Sequence, residues 1–258
     1  MHGGAFAFGD IDMPEAHWVS EQLAARGIAV VSVSYQLAPG LDRWDPPPPP
    51  QGPGVHFPVA SDEIVAAFKW AITDAAELGI DPRLLSIGGA SAGANLTAGA
   101  SLRIRDSGGA QPRSVLLVYP TFHAALPEPS AELAAALEGV APKRRFPPES
   151  VLRMTLNYVR DEDVLDNAYA FQGGQDLAGL PPTFILNSEF DSLRSSGEAY
   201  AGELATSGVD VAVLREIGTH HGHLNRPDTP AAIRSIERIA AWLAPSPLVG
   251  SQHPGISS

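Results

Sequence analysis

At 258 residues with 44% apolar side chains, the chain can close one substantial core, with or without a small lid, and needs no second domain. A formal charge of -12 repels phosphate backbones and anionic membrane surfaces, which argues against a nucleic-acid partner. The lack of cysteine excludes disulfides, thiolate chemistry and cysteine metal ligands. No apolar run approaches the roughly 20 residues of a membrane helix and no basic-then-apolar leader opens the chain, so the expected compartment is the cytoplasm.

Met1-His2-Gly3-Gly4-Ala5-Phe6 begins with small residues that let backbone N–H groups point into a site, as an oxyanion hole requires; a loose terminus is the alternative. Asp12 and Glu15 have the spacing of a capping box, and Trp18, Leu23 and Ala24 to Ala25 give an apolar side to a helix over about 13–26, stopped by Gly27. Ile28 to Tyr35 is β-branched and mostly apolar, the pattern of a parallel strand covered on both faces. Residues 39–58 contain Pro46 to Pro50, which predicts a polyproline II excursion on the surface, acting as a stiff loop or docking a partner. A helix then starts at Ser61 or Asp62, carries Ile64, Phe68, Ile72 and Ala75 on one side, and ends at Gly79.

A short strand over 84–88 leads into Gly89-Ala90-Ser91-Ala92-Gly93 and the Ala-rich stretch from Asn95 to Ser101. Strand, turn and helix in that order match the G-x-S-x-G nucleophile elbow. A sharp reversal with a strained serine leaves almost no room for side chains two residues either way, hence Gly89 and Gly93. The start of the following helix also offers free N–H groups. Ser114 to Tyr119 is a further buried strand, and 121–180 is less regular, with short helices near 130–138 and 149–158; it reads as a lid-like excursion. A strand over 183–187, a helix over 196–206, a strand over 209–214 and a helix over 231–243 complete the alternation, which predicts a mostly parallel three-layer α/β sheet in one domain over 1–258.

Active residues in such a sheet sit just beyond the carboxyl ends of its strands. Asp191 follows the strand at 183–187, and His221 lies in the loop after the strand at 209–214, giving the order serine, aspartate, histidine. A neutral hydroxyl is a weak nucleophile; an imidazole takes its proton, and a carboxylate holds the imidazole tautomer. Glu189 competes with Asp191 for the acid role. His220 and His223 compete with His221 for the base, and the three histidines also resemble a metal cluster, although no carboxylate-rich ligand set accompanies them.

Together these motifs resemble the hormone-sensitive-lipase-like branch of the α/β-hydrolase fold, whose members hydrolyse carboxylic esters. The resemblance rests on His2-Gly3-Gly4-Ala5-Phe6, Ser34-Tyr35-Gln36-Leu37-Ala38-Pro39, Gly89-Ala90-Ser91-Ala92-Gly93 with Asn95, Asp191-Ser192-Leu193-Arg194, and His221-Gly222. It implies Ser91 as nucleophile, Asp191 as acid, His221 as base, the N–H groups of Gly4, Ala5 and Ala92 as oxyanion donors, and His2, Gly3, Gly89 and Gly93 as shaping residues. No metal or organic cofactor is implied; the partner is a small-molecule ester, with short acyl or small aryl esters expected, and a homodimer is compatible with the family. A deacetylase, lactonase or amidase using the same residues, and a weakly active binding module, are the alternatives.

Two departures carry expectations. His223 stands where the family usually has Phe, so it is expected to line the acyl or alcohol pocket or to take part in its polarity. The family's lid helices, two strands and a third strand leading into the His-Gly-Gly turn are absent from this sequence. The chain is therefore expected to be a fragment or the product of a misplaced start, with a gap in the core, a detached oxyanion loop and reduced activity. An upstream strand, if encoded, is expected to raise stability and rate.

Overall fold

The computed structural model describes residues 1–41 and 53–244. The proline run at 46–50 lies outside the described residues. Among the described residues four strands, β1 (Ile87–Ala90), β2 (Val115–Val118), β3 (Thr183–Phe190) and β4 (Val211–His220), form one sheet in the order β1-β2-β3-β4, every neighbouring pair parallel. Parallel strands need crossovers, and helices supply them: α3 (Ala92–Asp106) lies between β1 and β2, α4 (Ala131–Glu138) and α5 (Pro148–Val159) between β2 and β3, and α6 (Arg194–Thr206) between β3 and β4, while α1 (His17–Ala24) and α2 (Val59–Thr73) precede the strands in the chain and α7 (Pro230–Leu243) follows them.

Side chains alternate across a strand, so the apolar runs of β2 and β3 feed two cores at once. Val115, Leu117 and Ile185 join the cluster that includes Leu96 and Leu102 of α3 and Tyr200 and Leu204 of α6. Leu116, Val118, Phe184 and Leu186 join Leu23 of α1 and Ala232 and Ile239 of α7 on the other face. The predicted three layers are therefore present, and the helices expected at 130–138 and 149–158 are α4 and α5.

Three local readings are corrected. Helix α1 begins at His17 with no side-chain cap; the Asp12 N–H instead meets Asp10 Oδ1 at 2.9 Å, and Glu15 is buried. Helix α2 begins at Val59 behind Pro58, before Ser61, whose hydroxyl accepts from Arg103 at 2.9 Å. Residues 28–35 form no strand: 29–32 are exposed, Val31 at 46%. They face β1 across a groove of about 580 Å³ lined by Val31, Val33, Phe68, Ile87 and Leu116. A β-branched run supplies the propensity for a strand, but the ladder needs a neighbour's N–H and C=O groups within reach.

The groove lies where the gap was expected, yet the loop at its end is not detached. Ala90 N donates to Met1 O at 3.1 Å and the amino group of Met1 donates to Gly88 O at 2.9 Å. Tyr35 OH donates to His2 O at 2.9 Å, and its ring stacks on the His2 imidazole with centroids 4.3 Å apart.

Candidate active site

Ser91 sits between β1 and α3 with φ 54 and ψ -121, a conformation that costs a non-glycine residue about 1–3 kcal/mol. The two flanking glycines have separate reasons. A Cβ on Gly89 would lie 2.3 Å from Gly93 O, so it allows helix α3 to start against the strand. A Cβ on Gly93 would lie 2.3 Å from His2 O, so it admits the 2–6 turn over the elbow. In that turn Gly4 has φ 112, Ala5 φ 50 and Phe6 φ 65; left-handed Ala5 stores about 1–2 kcal/mol of strain.

The strand ends bring the other groups to Ser91. Its Oγ lies 2.9 Å from His221 Nε2, and His221 Nδ1 lies 2.6 Å from Asp191 Oδ2. Asp191 is buried, and its Oδ1 accepts the Leu193 N–H at 3.0 Å. With Nδ1–H donating to the carboxylate, Nε2 is left as an acceptor for the serine hydroxyl proton. Phe146 and Tyr119 meet the His221 ring edge-on, with centroids at 4.8 and 5.0 Å. The buried guanidinium of Arg194 fixes the turn after Asp191: it donates to Glu189 O at 3.0 Å and pairs with Glu198 and Glu132.

The competing residues have other hydrogen-bond partners, although His220 lines the same cleft as Ser91. Glu189 Oε2 accepts the Gly218 N–H at 2.7 Å, where the register between β3 and β4 shifts. His220 Nδ1 is 3.3 Å from Phe190 O. His223 does not line the cleft as expected: its Nδ1 is 2.9 Å from Ser188 Oγ and its Nε2 is 2.9 Å from Ser235 Oγ, so its ring is spent joining β3 to α7. Burial pushes that imidazole down to about 4, and the neighbouring His221 adds to the shift.

Gly4, Ala5, Ser91, Ala92 and His221 share one end of a cleft of about 360 Å³, in the range of small-molecule sites. Among the described residues, no protein acceptor takes up the N–H groups of Gly4, Ala5 or Ala92. Phe6, Phe8, Phe146, Val151, Met154 and Leu193 make the walls largely apolar. Phe146, Val151 and Met154 come from the segment between β2 and β3, which gives that segment a part in shaping the site.

Sequence reasoning missed Glu15. Its Oε1 accepts the Gly3 N–H at 2.6 Å, while Oε2 accepts from Tyr119 OH at 2.6 Å and Asn225 Nδ2 at 2.9 Å. A Cβ on Gly3 would lie 2.6 Å from that Oε1, so the glycine makes the contact possible. Burial and the Glu15 carboxyl together hold the Tyr119 phenol well above its usual range. The only sequence signal was a carboxylate near the Gly-Gly turn, and local capping explained it more simply.

The chain matches the α/β-hydrolase-fold family over residues 50–225. It is 35% identical over 229 residues to the carboxylesterase NlhH of Mycobacterium tuberculosis, covering 87% of this chain and 65% of that protein. It is 33% identical over 234 residues to an arylesterase of Saccharolobus solfataricus, covering 89% and 68%. The crystal structure of the carboxylesterase EstE1, cloned from a metagenomic library, superposes with a TM-score of 0.78 at 32% identity, over 94% of this chain and 76% of that one. The chain belongs to the α/β-hydrolase-fold family, in its hormone-sensitive-lipase-like branch. It spans 65% of the length of the M. tuberculosis carboxylesterase, and no described helix is long and apolar enough to cross a membrane.

Proposed function

We propose that the protein hydrolyses small carboxylic esters, with short acyl or small aryl esters as the substrate class, through an acyl-enzyme at Ser91. The observation that carries this reading is the continuous hydrogen-bond chain from Ser91 Oγ through His221 to Asp191, opening into an apolar cleft. The relatives named as esterases support the chemistry.

As Ser91 Oγ bonds to the ester carbon, its proton passes to His221 Nε2, and the buried Asp191 carboxylate stabilises the imidazolium. The carbonyl oxygen becomes an oxyanion beside the N–H groups of Gly4, Ala5 and Ala92, which need no reorganisation to receive it. Breakdown expels the alcohol, which takes the proton from His221. A water then gives its proton to the same nitrogen, attacks the acyl carbon and releases the acid, returning the hydrogen to Ser91. The segment over 121–180 acts as a lid-like wall of the same 1–258 catalytic domain.

Steady-state hydrolysis of phenyl acetate tests the reading. S91A should lower kcat by at least about 10⁴-fold. D191N should retain more activity than S91A, because the aspartate orients the base and forms no bond to substrate. Equal kcat in S91A and the parent chain would reject the proposal.

A further inference from the structure

The cations of this acidic chain are unevenly paired. Arg26, Arg83, Arg103, Arg105, Arg194, Arg215, Arg234 and Arg238 all form ion pairs with carboxylates. Lys143, Arg144 and Arg226 form none among the described residues, as is also true of Lys69, Arg113, Arg153 and Arg160; these three are exposed and are the Lys and Arg residues among the described lining of the cleft at Ser91. They come from two separate segments. Lys143 and Arg144 belong to the turn at Pro142–Arg144, just before Phe146, whose ring meets His221 edge-on. Arg226 follows the turn at His223–Asn225, which closes the loop that carries His221.

No carboxylate in the cleft cancels these charges. Glu15 is the only acidic residue among its described lining, and its carboxyl already accepts from Gly3, Tyr119 and Asn225. Asp10, Asp12, Glu149 and Asp228 are close in sequence to lining residues but do not line the cleft. The outcome is a local positive mouth over an apolar floor in a molecule of charge -12. Such a concave site concentrates small anions, and guanidinium groups match the planar fork of a carboxylate.

From this charge pattern, and resting on the esterase reading above, we infer that the preferred substrates are small esters whose acyl or alcohol part bears a carboxylate. The ester group lies at Ser91, the apolar body lies along Phe146 and Phe8, and the carboxylate meets Lys143, Arg144 and Arg226 at the mouth.

The test compares two aryl acetates of similar shape, anionic 4-acetoxybenzoate and neutral 4-acetoxybenzamide, and reads the ratio of their kcat/KM values, anion over neutral. In the parent protein the ratio should fall at least about threefold between roughly 20 mM and 500 mM sodium chloride, because salt screens an exposed attraction. In K143Q/R144Q/R226Q, assayed at low salt, it should fall about tenfold. Intrinsic reactivity differences between the esters cancel in both comparisons, and the salt series on the parent stands if the variant fails to fold. A ratio that changes with neither salt nor variant overturns the inference while leaving the esterase reading intact. Failure of the parent to hydrolyse either ester rejects both.

Discussion

The Glu15 carboxyl accepts hydrogen bonds from the 2–6 turn, from Tyr119 at the end of β2 and from Asn225 in the loop after His221. One buried side chain thus couples the proposed oxyanion donors to the loop carrying the proposed base. In E15Q an amide NH2 replaces one acceptor oxygen and faces a donor, so at least one of the three anchors is lost. We expect kcat per active site to fall about 10-fold to 100-fold, the cost of a sub-ångström misplacement at a reacting centre, with KM for phenyl acetate held within about twofold. Active-site titration alongside kcat checks this. A variant whose loss is only in the titratable fraction would give Glu15 a purely structural role. That Ser91, Asp191 and His221 would meet was legible because order and strand-end placement constrain them jointly. Glu15 was not, because its meaning depends on partners at positions 3, 119 and 225, and His223 was misread because nothing in its spacing shows which side of the turn the ring takes.

Helix α7 is held to the sheet by more than its apolar face. Glu216 of β4, almost fully buried, takes Arg234 at 2.6 Å, Arg238 at 2.5 Å and Ser235, and Ser235 in turn meets His223. The His223 imidazole is lowered from 6.5 to about 4, so between those values the unfolded chain binds a proton that the native state refuses. Stability therefore falls as pH drops through this window, by roughly 2–3 kcal/mol by pH 4.5 from this residue alone. In H223Q, whose amide can still bridge Ser188 and Ser235, the stability difference between pH 7 and pH 4.5, measured by urea unfolding, should shrink by about that amount. An unchanged difference would mean that His223 accepts its proton in the folded protein. Elements were legible wherever both core faces show in the pattern, as in Val115 to Val118. Their ends were not: β3 and β4 run on to Phe190 and His220 through a register shift near Ser188 that no periodicity announces.

Across the molecule, order should follow the sheet outward from β3, which is paired on both sides, to β1, whose outer edge faces the groove. Native-state hydrogen exchange should find the slowest amides in β2 and β3 and fast exchange at residues 29–34, which donate no backbone hydrogen bond among the described residues. Protection of 29–34 equal to that of β3 would contradict the open-groove description. The stretch 28–35 misled because sequence reports the propensity of a strand and cannot report the availability of its neighbour. Whether this fold presents one activated serine is read by incubating the folded protein with a fluorophosphonate and locating the adduct by intact mass and peptide mapping. A single adduct on Ser91 is expected, absent in S91A and much slower in H221A. An adduct on another residue, or no adduct on the folded parent chain, would contradict it.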